Sequence, residues 1–150
     1  MRNTFQFGLE RVRELREHVE SQAKEELAAS LNQRLRGAAM LAEASEELAS
    51  AAAAGRPAEG ATRNAADLIA HERWMQALRR DQEHKALSLD RLDAEVDARR
   101  SALGDASRDR EVLERLKERK RTEHKAEVAR RESVELDELA TNMYLRGAAR

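Results

Sequence analysis

The single proline of the chain decides what the chain can fold into. Pro57 stands within Gly55-Arg56-Pro57-Ala58-Glu59-Gly60, between two long stretches of helical periodicity. Proline removes a helix donor and the flanking glycines favour turns, so one continuous helix cannot run through this segment. Before it lies the run Ala51 to Ala54. After it, Thr62 and Asn64 offer N-cap oxygens, with Asp67 three positions beyond Asn64. The sequence therefore predicts a single domain, 1–150, with helix 1 over about 5–54, a turn over about 55–63 and helix 2 over about 64–146. A short connection between long helices makes them antiparallel neighbours. The expected fold is all-α: a long antiparallel two-helix coiled-coil hairpin. Because the second arm is longer, it outruns the first by roughly 40 Å at 1.5 Å per residue. The overhang is expected to begin near Leu113.

Each arm has an apolar seam. In the first it reads Leu9, Val12, Leu15, Val19, Ala23, Leu27, Leu31, Leu35, Ala38 and Leu41, an average step of about 3.6 that suits a nearly straight helix. In the second, Met75, Leu78, Leu89, Leu92, Val96, Leu103, Ala106 and Leu113 share one heptad frame, interrupted at Gln82, Lys85, Arg99 and Arg110. Polar seam positions lower stability and help to fix register. Gly37 and Gly104 lie inside the two helices at comparable distances from the turn. A close approach of backbones, a soft hinge and coincidence all fit that placement.

Composition supports this reading. Charged residues make up 38% and aromatics 3%, and much of the 41% hydrophobic fraction is alanine. Too few large apolar side chains remain to fill a globular core, whereas high Ala, Glu, Lys, Leu and Arg with helical periodicity marks a coiled coil.

The same residues narrow the function. The 28 basic and 29 acidic residues nearly cancel, at a net charge of −1, which argues against nucleic acid or an anionic membrane as partner. With no cysteine, thiol chemistry is excluded and a reducing compartment fits. No apolar run has the length of a signal peptide or a membrane span. A cytoplasmic protein without membrane insertion is expected. His18, His71, His84 and His124 are never i to i+4 from one another, so no helical metal site is formed. Neither a phosphate-binding glycine loop nor a glycine-flanked serine occurs. No catalytic residue, metal or cofactor is expected, and the function must lie in holding or driving other proteins.

Two surfaces invite partners. Arg115-Leu116-Lys117-Glu118-Arg119-Lys120-Arg121 is basic, but Glu111, Glu114, Glu118, Glu123 and Glu127 interleave with it. Opposite charges at i to i+4 satisfy each other, so a solvated face and a docking surface for an acidic protein both remain open. Trp74, the only tryptophan, lies beside Met75 and Leu78. It either packs across the seam edge or stands exposed for a partner.

The opening, Phe5-Gln6-Phe7-Gly8-Leu9-Glu10-Arg11-Val12-Arg13-Glu14-Leu15-Arg16, resembles the start of the flagellar export protein FliJ family. Leu113-Glu114-Arg115-Leu116-Lys117-Glu118-Arg119 and Glu135-Leu136-Asp137-Glu138-Leu139-Ala140 resemble the closing part of that family. Each motif is degenerate in coiled coils; their order and spacing carry the resemblance. It implies a cytoplasmic component of the flagellar type III export apparatus, peripheral to the cell membrane at the flagellar base. Members are two-helix stalks in the pore of the export ATPase hexamer. They also contact the cytoplasmic linker of the export gate membrane protein and bind export chaperones. By resemblance, Trp74 and Leu78 match the leading gate-contacting positions. Asp81 and Lys85 depart from the apolar or histidine character expected on the next two turns. The ATPase ring would meet Arg115, Leu116, Lys117, Arg119, Lys120, Arg121, Leu136 and Leu139. A generic coiled-coil scaffold is the competing reading, and so is the stalk of a virulence-type secretion system, although Leu136-Asp137-Glu138-Leu139 leans flagellar.

Overall fold

The computed structural model describes residues 4–55 and 64–148. It contains two helices, α1 (Glu10–Ala54) and α2 (Ala65–Ala148), packed against each other, and no strand among the described residues. The expected turn around Pro57, and the Thr62 cap, lie outside the described residues. Asn64 caps α2: its side-chain oxygen accepts the Ala66 amide at 3.2 Å, and its carbonyl accepts the amides of Asp67 and Leu68. Asp67 then places a carboxylate in the first turn, beside the positive end of the helix dipole. α1 begins at Glu10, after a turn in which the Glu10 amide bonds the Phe7 carbonyl. Phe5 and Phe7 precede it as non-helical chain.

The contacts divide the chain into two compact units. One comprises Met1–Glu20 with Asp105–Arg150, the other Ser21–Gly104. In the second unit the partner number falls as the α1 number rises: Glu26 meets Arg99, Arg34 meets Asp93, Ser45 meets Gln82 and Gly55 meets His71. The helices are therefore antiparallel. The α1 face turned inward is Ala23, Leu27, Ser30, Gly37, Leu41, Ala44, Leu48 and Ala51, with Arg34 at its edge. That line keeps a heptad frame rather than the straighter expected step, although Leu31 and Ala38 of the expected seam are half-buried beside it. Leu35, expected inside, is 62% exposed. The inward positions on either side of it are Arg34 and Gly37. Gly37 packs under Leu92 and Leu89 rather than against Gly104.

On α2 the expected frame is the observed one. Met75, Val96 and Ala106 are buried, and Leu78, Leu89, Leu92, Leu103 and Leu113 are half-buried. The polar interruptions all find partners: Gln82 donates to the Ser45 hydroxyl at 2.9 Å, Lys85 pairs with Asp81, Arg99 with Glu26 and Arg110 with Glu20.

Candidate partner-binding surfaces

In the unit formed by Met1–Glu20 and Asp105–Arg150, the inward face of α1 is charged. Arg13 donates to Glu114 across the helices at 3.0 Å, and to Glu10 and Glu17 on its own helix. Lys117 reaches Glu10 at 2.8 Å, and Arg16 reaches Asp109 at 3.0 Å. Glu20, only 6% exposed, accepts hydrogen bonds from the Arg110 guanidinium and from the Ser107 hydroxyl. A buried carboxylate needs such satisfaction to remain charged. The hydrogen bonds from Lys117 and then Arg13 hold the Glu10 carboxyl below the usual glutamate range. Arg13 and Arg110 are pushed upward by hydrogen bonds to Glu10 and Glu20 respectively.

With charges turned inward, the apolar residues expected there face out. Leu9, Val12, Leu15 and Val19 are all exposed. The expected seam therefore fails over these residues. The reason is that Arg13, Arg16 and Glu20 have long polar partners on α2, and a two-helix pair leaves the sides of its seam open to water.

The free end of α2 begins later than Leu113. Glu114 and Lys117 still pair with α1, and the non-helical segment before α1 carries the Phe5 ring to 5.6 Å from His124. Extended chain covers about 3.3 Å per residue against 1.5 Å in a helix, so a few residues reach several turns along α2. Phe5, Phe7, Leu9, Leu116 and His124 line an open cleft of about 550 Å³. Beyond Val128 every described side chain is exposed, including Val134, Leu136, Leu139, Met143, Tyr144 and Leu145.

The structure separates the residues expected to face an ATPase ring. Leu116 is half-buried in the cleft and Lys117 is engaged with Glu10. Arg115 pairs with Glu111, and Arg119 and Lys120 share Glu123. The hydrogen bond from Lys120, with a further one from Arg119, keeps the Glu123 carboxyl low. Arg121, Leu136 and Leu139 are exposed. Sequence reasoning missed the inward roles of Arg13 and Glu20; extending the heptad frame of Leu27 and Leu41 backwards would have found both.

In the other unit, Trp74 is 47% exposed with its ring edge-on to His71, while Leu78 is half-buried on the seam. The Asp81–Lys85 ion pair, at 2.7 Å, lies on the following turns.

These features define an α-helical hairpin with a mixed polar and apolar seam and a projecting C-terminal helix. Residues 5–149 match the flagellar FliJ protein family. The chain belongs to that family, a non-catalytic component of flagellar protein export. Comparison with curated proteins and with solved structures gives no match. Among the described residues, no helix is long and apolar enough to cross a membrane, and no cluster of side chains is suited to hold a metal ion.

Proposed function

We propose that this chain acts in the cytoplasm as a central stalk of the flagellar export ATPase ring. In this reading it couples the ring to the export gate and binds export chaperones. One observation carries the proposal: the end of α2 continues as helix to Ala148 with Leu136, Leu139 and Met143 exposed and no α1 residue beside them. Isolated helices owe little stability to propensity alone, so this apolar content makes sense when a partner buries it. In this reading the ring of the export ATPase is that partner. Arg121, with Arg119 and Lys120 held by only one shared carboxylate, supplies the charge next to it. Trp74, about half exposed, is an aromatic available to the gate.

The test is stimulation of the export ATPase by a chain cut after Arg131. That cut keeps Glu114 and Lys117, which a cut at Arg110 would remove from Arg13 and Glu10. Stimulation is expected to disappear while helicity of the remainder persists. Full stimulation by the shortened chain would refute the stalk role of the projecting helix.

A further inference from the structure

Two uncovered apolar stripes lie in the same unit and match in spacing. On α1 they are Val12, Leu15 and Val19; on the projecting part of α2 they are Leu136, Leu139 and Met143. Both follow the i, i+3, i+7 pattern of a helix face seeking a helix partner. They cannot meet within one chain, because α2 is continuous through Ala148 and carries its stripe past the start of α1.

We propose that they meet between two copies, the projecting helix of each chain lying on the α1 stripe of the other. A two-fold axis sets the projecting helix parallel to the partner copy's α1, because α1 and α2 are antiparallel within a chain. Leu136 then falls on Val12, Leu139 on Leu15 and Met143 on Val19. The hairpin pairing puts Val12 level with the stretch from Glu114 to Lys117, so one axis near Lys125 generates both contacts with no change of register. Such a closed, self-complementary interface is the commonest form of homodimer. Making the contact twice helps it to approach the roughly 1,200 Å² typical of stable interfaces.

Charge selects the same occupant. Residues 132–139 carry Glu132, Glu135, Asp137 and Glu138 and no basic residue, while Arg11 and Arg16 flank the α1 stripe. In the parallel register Glu135 and Arg16 take the flanking positions that pair across a coiled coil. Arg16, already 3.0 Å from Asp109 in its own chain, is still 45% exposed on that side chain. The dimer covers Leu136 and Leu139 in the absence of another partner, so it competes with any protein that binds the projecting helix.

The test is sedimentation of the full chain alone over a wide concentration series, independent of any ATPase measurement. A reversible monomer–dimer equilibrium is expected. Leu15→Glu and Leu139→Glu should each weaken it by roughly tenfold or more, the equivalent of about 1.4 kcal/mol. Arg16→Glu and Glu135→Arg should each weaken it, and the double variant should recover. The native chain has no cysteine, so mixing a Leu15→Cys chain with a Leu139→Cys chain under mild oxidation reports the pairing. The mixed disulfide should predominate. A chain that stays monomeric throughout overturns the proposal. So does cross-linking in which Leu139→Cys chains join chiefly to each other.

Discussion

Glu20 and Arg110 form an ion pair at a seam position between α1 and α2, where the carboxylate is almost wholly buried and the guanidinium about one-third exposed. Removing one member of such a pair strands the other, whereas replacing both with apolar groups of similar volume is often neutral or stabilising. Glu20→Leu alone should lower the melting temperature. Glu20→Leu with Arg110→Leu should match or exceed the parent by about 4 °C, the shift expected for roughly 1 kcal/mol. Thermal melts of the three proteins decide this.

Acid should loosen the unit that holds Glu10 before the one that holds Met75. The Glu10 carboxyl is held below its ordinary range by Lys117 and Arg13. A carboxylate depressed by folding contributes stability that is present above its unfolded pKa and lost as pH falls through its folded one. Relative to the intrinsic amide rate, which itself slows in acid, the hydrogen-exchange protection of residues 10–20 should therefore fall as the pH drops below the usual glutamate range. Residues 37–51, whose inward side chains are mostly alanine and leucine, should change less.

High salt should act in the same place. Glu10–Lys117, Arg13–Glu114 and Arg16–Asp109 are all solvent-accessible pairs. Screening shortens from about 8 Å at physiological ionic strength to about 3 Å at 1 M. Exchange at residues 10–20 should rise with salt, while that at residues 89–96 should hold or slow. Equal acceleration in both would contradict an electrostatic seam.

Met75 and Trp74 are neighbours with opposite roles. Met75 is buried and Trp74 about half exposed. Met75→Ala should cost about 2 kcal/mol, the low end for a buried methionine because a two-helix seam collapses easily. Trp74→Ala should change stability far less and, under the proposed gate contact, weaken gate binding by about 2 kcal/mol. Denaturant melts and a gate-linker binding assay separate the two.

The α2 seam was legible because its apolar residues, from Met75 to Leu113, keep one heptad frame and its polar interruptions do not disguise it. The α1 seam was legible only in part: Ala23, Leu27, Leu31, Ala38 and Leu41 are half-buried as expected, but the residues before them are not. Arg13, Glu20 and Arg34 sit on or beside the frame, and nearby Leu9, Val12, Leu15 and Val19 form a more hydrophobic line that faces outward. Hydrophobicity reports burial only where polar groups lack partners, and here α2 supplies Glu114, Arg110 and Asp93. The candidate surface was legible as a basic cluster. Arg115, Arg119 and Lys120 pair with Glu111 and Glu123 of their own helix, at spacings the sequence displays, whereas the Lys117–Glu10 pair depends on the register between the helices, which composition cannot show.

The Phe5 ring resting near His124 has a practical side. A group attached at Thr4 would sit at the root of the projecting helix, beside Leu116 and the cleft lined by Phe7. An affinity tag or fluorophore attached there would crowd the very surface a pull-down or binding titration sets out to measure. The solvent-facing flank of α2 around Leu87, 59% exposed, is a better place for a label.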